Sequence, residues 1–134
     1  MNTQTNSEYM LLFRGTDWTK GLSPEEIQTV MTNWRAWFER LTREGKVKAG
    51  QPLLNEGKIV SGKHGQVVVD GPFAESKETI GGYFLLQVDS LEGAVAIAQE
   101  CPGLAYGATV EVRPVAAECQ LMERVRQQLA RAEA

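Results

Sequence analysis

A long amphipathic segment between Ser23 and Gly45 constrains the fold of this chain more than any other feature. Ser23 suits a helix N-cap, while Pro24 and Glu26 suit the first helical position and a capping box. Gly45 is typical of a helix stop. The apolar residues between them recur at helical spacing: Ile27, Val30, Met31, Trp34, Trp37, Phe38 and Leu41. A helix with one apolar stripe of this width has to bury it against another layer.

Short strand patterns on both sides of this helix supply that layer. Residues 9–13 form a continuous apolar run that predicts a buried central strand. Glycine turns separate three short strand patterns at 47–54, 58–61 and 66–69, and the last two predict a hairpin. The remaining elements are predicted as a strand at 83–88, a helix at 91–101, a strand at 108–115 and a helix at about 117–131.

The order of these elements predicts an α+β fold. Without the inserted hairpin and the C-terminal helix, it reads β-α-β-β-α-β, which is the ferredoxin-like arrangement. Both helices then cover one face of an antiparallel sheet, and the other face needs a cover as well. Face-to-face packing of two copies is the simplest cover, so we expect a homodimer. Residues 1–7 read as a flexible tail and residues 8–134 as a single domain.

Composition narrows the classes of function. The formal charge of −3 argues against nucleic-acid binding, which needs a basic surface. No apolar run approaches the ~20 residues that span a bilayer, and the polar start lacks a signal-peptide pattern, so we expect a cytoplasmic protein with no membrane partner. The two cysteines are predicted to stay reduced. With one histidine, the chain is expected to hold no metal, and no cofactor motif occurs.

The run Asp-Gly-Pro-Phe-Ala-Glu-Ser-Lys-Glu at residues 70–78 is not explained by composition or periodicity. Five further segments accompany it, namely Tyr9-Met10-Leu11-Leu12, Gly81-Gly82-Tyr83-Phe84, Val88-Asp89-Ser90, Cys101-Pro102-Gly103 and Val110-Glu111-Val112-Arg113-Pro114. With these, the chain resembles the YCII-related family, in the branch called the DGPF domain, over residues 9 to 115. The resemblance implies a dimeric α+β barrel built on the ferredoxin-like unit.

What the resemblance implies about function is limited. A better-known branch of the family has been associated with enzymatic activity around a His–Asp pair. That pair would need a histidine on the first helix, where this chain has Trp34 and Trp37, and an aspartate before Pro102, where it has Cys101. The resemblance therefore does not carry that chemistry to this chain. Members of the DGPF branch are often encoded beside alternative sigma factors, which implies an association with sigma-factor regulation.

Two interpretations remain open for the run at 70–78. Asp70 either organises the turn by bonding to nearby amides or acts as a general base at a cleft. Phe73 either fills the core or lines a pocket. Glu75 and Lys77 either belong to a solvated loop or edge a pocket and fix an anionic ligand.

The other ligand-pocket candidates are Arg14, Trp18, Trp34, Trp37 and Gly82. The tryptophans either pack in the core or line an apolar pocket beside the first helix. Gly82 either admits a ligand close to the backbone or marks a bulge. Arg14 is a candidate to hold an anionic group.

Two hypotheses for function follow. The first is a homodimeric module that binds an unknown small molecule or acts in regulation. The second is an enzyme that uses Asp70 as acid or base in a cleft between sheet and helices, with Arg14 or Lys77 holding the substrate.

Overall fold

Six strands and three α-helices follow one another in the computed structural model, which describes residues 7–15, 17–71 and 79–133. The strands are β1 (Ser7–Arg14), β2 (Val47–Pro52), β3 (Lys58–Ser61), β4 (Val67–Asp70), β5 (Ile80–Val88) and β6 (Thr109–Pro114). The α-helices are α1 (Pro24–Arg43), α2 (Leu91–Ala98) and α3 (Gln120–Glu133), and single 3-10 turns lie at Asp17–Thr19 and Pro102–Tyr106.

Four of the strands form one antiparallel sheet in the order β2-β5-β1-β6. This is the strand order of a ferredoxin-like β-α-β-β-α-β unit, so the predicted α+β class and arrangement are confirmed. Strands β3 and β4 pair only with each other and form the inserted hairpin. On the central strands, Leu11 of β1 lies opposite Phe84 of β5 and Val112 of β6.

Helix α1 begins and ends where the sequence predicts. The Glu26 amide donates to Ser23 Oγ at 3.1 Å, and the Ser23 amide donates to Glu26 Oε1 at 2.7 Å, which completes the capping box. At the other end Gly45 has a φ of 75°, a left-handed conformation that glycine adopts without strain.

The hydrophobic core lies between the helices and one face of the sheet. Alternate residues of β1 and β5 point into it, as expected for strands with one buried face. The buried core consists mainly of Tyr9, Leu11, Phe13, Trp37, Leu41, Val47, Phe84, Leu86, Ala94, Ile97 and Ala98. This one-sided core positions α1 across the ends of β2 and β5, which is where the candidate site lies.

Some element boundaries differ from the sequence prediction. The second helix ends at Ala98 rather than residue 101, because Cys101 precedes a proline and takes an extended conformation (φ −60°, ψ 123°). Strand β2 ends at Pro52 rather than residue 54, although the Leu53 amide still donates to the Gly81 carbonyl oxygen at 2.9 Å. Residue 7 belongs to β1, and the rest of the predicted tail lies outside the described residues.

The described helices are all too short or too polar to cross a membrane.

The capping box predicts a measurable contribution to stability. We expect Ser23→Ala to lower the free energy of unfolding by about 1 kcal/mol, because the Glu26 amide loses the hydroxyl that it donates to. Urea denaturation monitored by circular dichroism measures the change. The matched control Thr32→Ala alters an exposed position within α1 and should not destabilise the chain. Equal stability of Ser23→Ala and the wild type would contradict this account.

Candidate functional site

An apolar cavity of about 330 Å3 lies between α1 and the adjoining ends of β2 and β5. Its aromatic walls come from three elements: Phe13 of β1, Trp34 and Phe38 of α1, and Phe84 of β5. The rings are held edge to face or tilted, with centroids 5.0 Å apart for Phe13 and Trp34 and 4.9 Å apart for Phe38 and Phe84. The cavity is thus a gap at the margin of the aromatic core, open to one side.

Two glycines shape the strand side of this cavity. A Cβ on Gly50 would lie 2.8 Å from Phe84 Cδ1 and 2.9 Å from Phe38 Cε1, so a side chain there would displace both rings. A Cβ on Gly82 would lie 2.9 Å from the Gln51 carbonyl oxygen, which is backbone of the neighbouring strand. Glycine at both positions allows β2, β5 and α1 to approach closely and leaves the wall of the cavity as bare backbone.

Among the described residues that line the cavity, Arg35 carries the single charged side chain. Arg35 lies on α1 one turn after Met31, which also lines the cavity. Within the described parts of the chain, its guanidinium makes no ion pair, while Arg40 on the same helix is bound to Glu44 and Glu100. An exposed guanidinium without a partner, placed at an apolar pocket, can donate to an anionic group of a ligand.

A neighbouring indole ring and a glycine-containing turn hold the Trp34 ring in place. The indole of Trp18 stacks on it at 6.1 Å with an interplanar angle of 20°, and Tyr106 lies 6.3 Å from Trp18. A Cβ on Gly103 would lie 2.9 Å from Trp34 Cζ3, so the 3-10 turn after α2 reaches the ring only because it carries a glycine there. Trp34 therefore lines the cavity as a ring that its neighbours hold in place.

The sequence-predicted pocket residues divide into three groups. Trp34 and Gly82 line the cavity. Trp18 supports Trp34 from behind, and Trp37 is buried in the core, where its Nε1 donates to Glu100 Oε1 at 3.1 Å. Phe73, Glu75 and Lys77 lie outside the described residues.

Arg14 lies away from the cavity. It follows Leu12 on the sheet face that the helices do not cover, and its Nε donates to Glu111 Oε1 of β6 at 2.6 Å. Arg14 is therefore part of a charge pair on the open face of the sheet, and it is not among the residues that line the cavity.

Asp70 also lies away from the cavity. It ends β4 opposite Lys58 of β3, and the two side chains form an ion pair of 2.5 Å. The Asp70 side chain is 82% exposed, so this pair is strongly solvated. The turn that Asp70 was predicted to organise continues into residues 72–78, which lie outside the described ranges.

The described lining of the cavity also contains residues that the sequence analysis did not single out as site residues: Phe13, Met31, Arg35, Phe38, Gly50, Gln51, Pro52, Tyr83 and Phe84. The helical pattern placed Phe38 and Met31 in the apolar stripe of α1. It does not tell which residues of the stripe are buried in the core and which line the cavity. Arg35 immediately follows Trp34, and its spacing from Met31 was the available signal.

A second depression of about 490 Å3 lies at the opposite ends of the strands, beside the start of α2. It is polar, and three of its described charged side chains are paired: Lys46 Nζ lies 3.2 Å from Glu44 Oε1, and Glu100 lies 2.5 Å from Arg40 of α1. In the ranges that the structure describes, no three acidic, cysteine or histidine side chains converge in a way that could hold a metal ion.

The two cysteines differ in reactivity. Cys101 is buried in the hydrophobic core, and burial raises the pKa of its thiol to about 11. Cys119 is exposed just before α3. A thiol with so high a pKa is protonated at neutral pH and is a poor nucleophile.

We therefore expect a thiol reagent such as Ellman's at pH 8 to label Cys119 rapidly in the folded protein. Cys101 should react only after unfolding, because its thiol is buried and its pKa is raised to about 11. Absorbance of the released thiolate measures both phases, and Cys119→Ser should abolish the fast phase. Rapid labelling of the folded Cys119→Ser variant would show that the Cys101 thiol is accessible.

Comparison with known proteins gives a family and a weak structural likeness. The YCII-related domain matches residues 7–117. An uncharacterised protein of Rhizobium meliloti is 30% identical over 102 residues, which cover 73% of this chain and 82% of that protein. Among solved structures, the chain is similar to 5-chloro-2-hydroxyhydroquinone dehydrochlorinase from Burkholderia phenoliruptrix in complex with 2,5-dihydroxybenzoquinone. That likeness has 16% identity and a TM-score of 0.40 and covers 78% of this chain and 90% of the other. A likeness this distant does not bear on chemistry.

Proposed function

The chain belongs to the YCII-related family, and we propose that it is a homodimeric module that binds a small, flat, apolar ligand with an anionic group in the cavity between α1 and strands β2 and β5. The observation that carries this proposal is the combination of an aromatic cavity with one unpaired arginine at its edge. The Asp-Gly-Pro-Phe run at 70–73 supports placement in the DGPF branch of the family.

The size and lining of the cavity favour such a ligand. Its volume of about 330 Å3 falls at the lower end of the range typical of small-molecule sites, roughly 300–1,000 Å3. The rings of Phe13, Trp34, Phe38 and Phe84 offer both faces and edges to a flat molecule. Arg35 offers a planar fork of donors that matches a carboxylate in two parallel hydrogen bonds.

The composition of the lining favours binding over acid–base catalysis. The described residues that line the cavity include no aspartate, glutamate, histidine or cysteine that could transfer a proton. Asp70, the predicted acid or base, pairs with Lys58 on the inserted hairpin instead. The module is therefore proposed to report or sequester its ligand, and its association with sigma-factor regulation stays a prediction.

The uncovered face of the sheet supports the homodimer. Met10 and Leu12 of β1 and Leu85 of β5 point to this face and are only partly buried. Around them lie the charge pairs Lys48–Glu8, at 2.5 Å, and Arg14–Glu111. An apolar centre within a ring of paired charges has the composition of an interface core and rim.

The ligand class can be tested with a matched pair of probes, 2-naphthoate and its neutral amide. We expect the wild type to bind the carboxylate more tightly, and Arg35→Gln to weaken naphthoate binding roughly 10- to 100-fold by removing a charge-assisted hydrogen bond. Arg35→Lys should retain part of the preference. Calorimetric titration, with quenching of tryptophan fluorescence by the probe, gives the affinities.

Arg43→Gln is the control, because Arg43 is an exposed arginine on the same helix and does not line the cavity. It should bind naphthoate like the wild type. Equal affinities of Arg35→Gln and wild type for naphthoate would contradict the role of Arg35, and failure of both probes to bind the wild type would contradict the proposed ligand class.

The homodimer is tested separately. We expect sedimentation velocity to give a dimer of the chain at micromolar concentration, because the half-buried apolar centre of the sheet gains a cover in the dimer. A single monomeric species at that concentration would contradict the dimer without touching the ligand proposal, since the cavity is lined by residues of one chain.

A further inference from the structure

The β3–β4 hairpin carries apolar side chains on both of its faces. Ile59 pairs across the strands with Val69 on one face, and Val60 pairs with Val68 on the other. No residue of either strand is buried. An isolated two-stranded hairpin is only marginally stable in water, and one that is apolar on both faces needs a neighbour on each. Among the described helices and strands, β3 and β4 make extensive contacts only with each other.

Helix α3 has the same unmet requirement. Its apolar residues form one stripe, made of Leu121, Met122, Val125 and Leu129, and none of them is buried. A helix of 14 residues without tertiary packing is marginal in water. Together, the hairpin and α3 present nine large hydrophobic side chains that are 43% to 62% exposed.

The accessible surface area of the whole chain is larger than that of a compact monomer of its mass. The chain exposes 9386 Å2. A compact monomer of 14.8 kDa exposes roughly 7000 Å2. The excess, on the order of 2000 Å2, is larger than the ~800 Å2 that each partner contributes to a standard interface. The excess is therefore large enough for a stable interface, and a second copy of the chain offers both an unpacked hairpin and an unpacked apolar stripe.

The sheet topology places the two elements at opposite corners. The hairpin leaves the sheet after β2, an edge strand, at the end of the sheet where β1 finishes. Helix α3 follows β6, the other edge strand, and leaves at the end where β1 begins. The hairpin corner and the α3 corner thus lie on one diagonal of the sheet. Two sheets that pack face to face commonly cross with their strands near 90°. If the two-fold axis of such a pair runs along the second diagonal, each hairpin corner lies over the α3 corner of the partner.

We propose that the hairpin of one copy packs on the apolar stripe of α3 of a second copy. The homodimer then contains this contact twice, and we call each of the two contacts a clasp. This inference rests on the proposed homodimer and extends it, because it assigns the contact to elements outside the sheet. Each clasp covers the Val60–Val68 face of the hairpin and the stripe of α3, and two-fold symmetry forms both clasps together.

The test uses the full-length chain with a charge placed in each element. Val68→Glu alters the hairpin and Val125→Glu alters the stripe of α3. Each should weaken dimerisation roughly 100-fold, because a carboxylate would be buried without a partner. The double variant should be no weaker than the worse single variant, because either substitution already undoes the same contact. Sedimentation equilibrium over a concentration series gives the dissociation constants.

Two controls place the same charge away from the proposed contact. Gln66→Glu alters an exposed residue in the hairpin turn, and Gln120→Glu alters the side of α3 opposite its stripe. Both should dimerise within a factor of two of the wild type. Circular dichroism and naphthoate binding should be unchanged in all variants, since none of these residues contributes to the core or lines the cavity.

The outcomes separate this inference from the proposed function. A wild-type dimer whose affinity is unchanged by Val68→Glu and Val125→Glu would overturn the clasp and leave the homodimer standing. Independent, multiplicative losses in the double variant would overturn the pairing of hairpin with α3. A monomeric wild type would overturn the homodimer itself, and the clasp with it. Loss in each single variant without further loss in the double would support the clasp.

Discussion

The contact between the aromatic face of α1 and the rings of the two central strands is the interaction on which this structure depends. Phe13 of β1 meets Trp34, Trp37 and Phe84 at centroid distances of 4.9 to 6.0 Å. Each such pair contributes roughly 0.5–1.5 kcal/mol beyond the burial of its area. The contact fixes α1 across the sheet, and it requires glycine at position 50, where a Cβ would collide with two rings.

The candidate site is a consequence of the same contact. The aromatic residues of α1 lie both in the core and at the cavity. At the cavity, the glycines of β2 and β5 contribute backbone instead of side chains. The cavity therefore inherits rigid aromatic walls, and Trp34 is held by stacking from Trp18 behind it. Arg35 follows Trp34 on the helix and brings a charge to the mouth of an otherwise apolar space. A preformed, rigid pocket binds with little loss of side-chain entropy.

The core serves only one side of the molecule. Helices α1 and α2 cover one face of the sheet, while the apolar side chains of the other face are only partly buried and those of the β3–β4 hairpin and the stripe of α3 are exposed. Burying such surface is the main favourable term in association. The proposed homodimer would cover the open face of the sheet, the stripe of α3 and one face of the hairpin with a single symmetry operation.

The sequence by itself determined the elements and their order, because the local signals were strong. The capping box at Ser23, the stop at Gly45 and the strand patterns gave the ferredoxin-like arrangement and the inserted hairpin, and the DGPF-like run accompanied a correct family assignment. Only the tertiary structure decided whether each of these side chains lies in the core, at the cavity or on the open face of the sheet. It placed Trp37 in the core and Trp34 at the cavity, paired Arg14 with Glu111, and placed Arg35 in the lining of the cavity. These outcomes depend on long-range approach between strands and helix, which residue patterns along one segment do not encode.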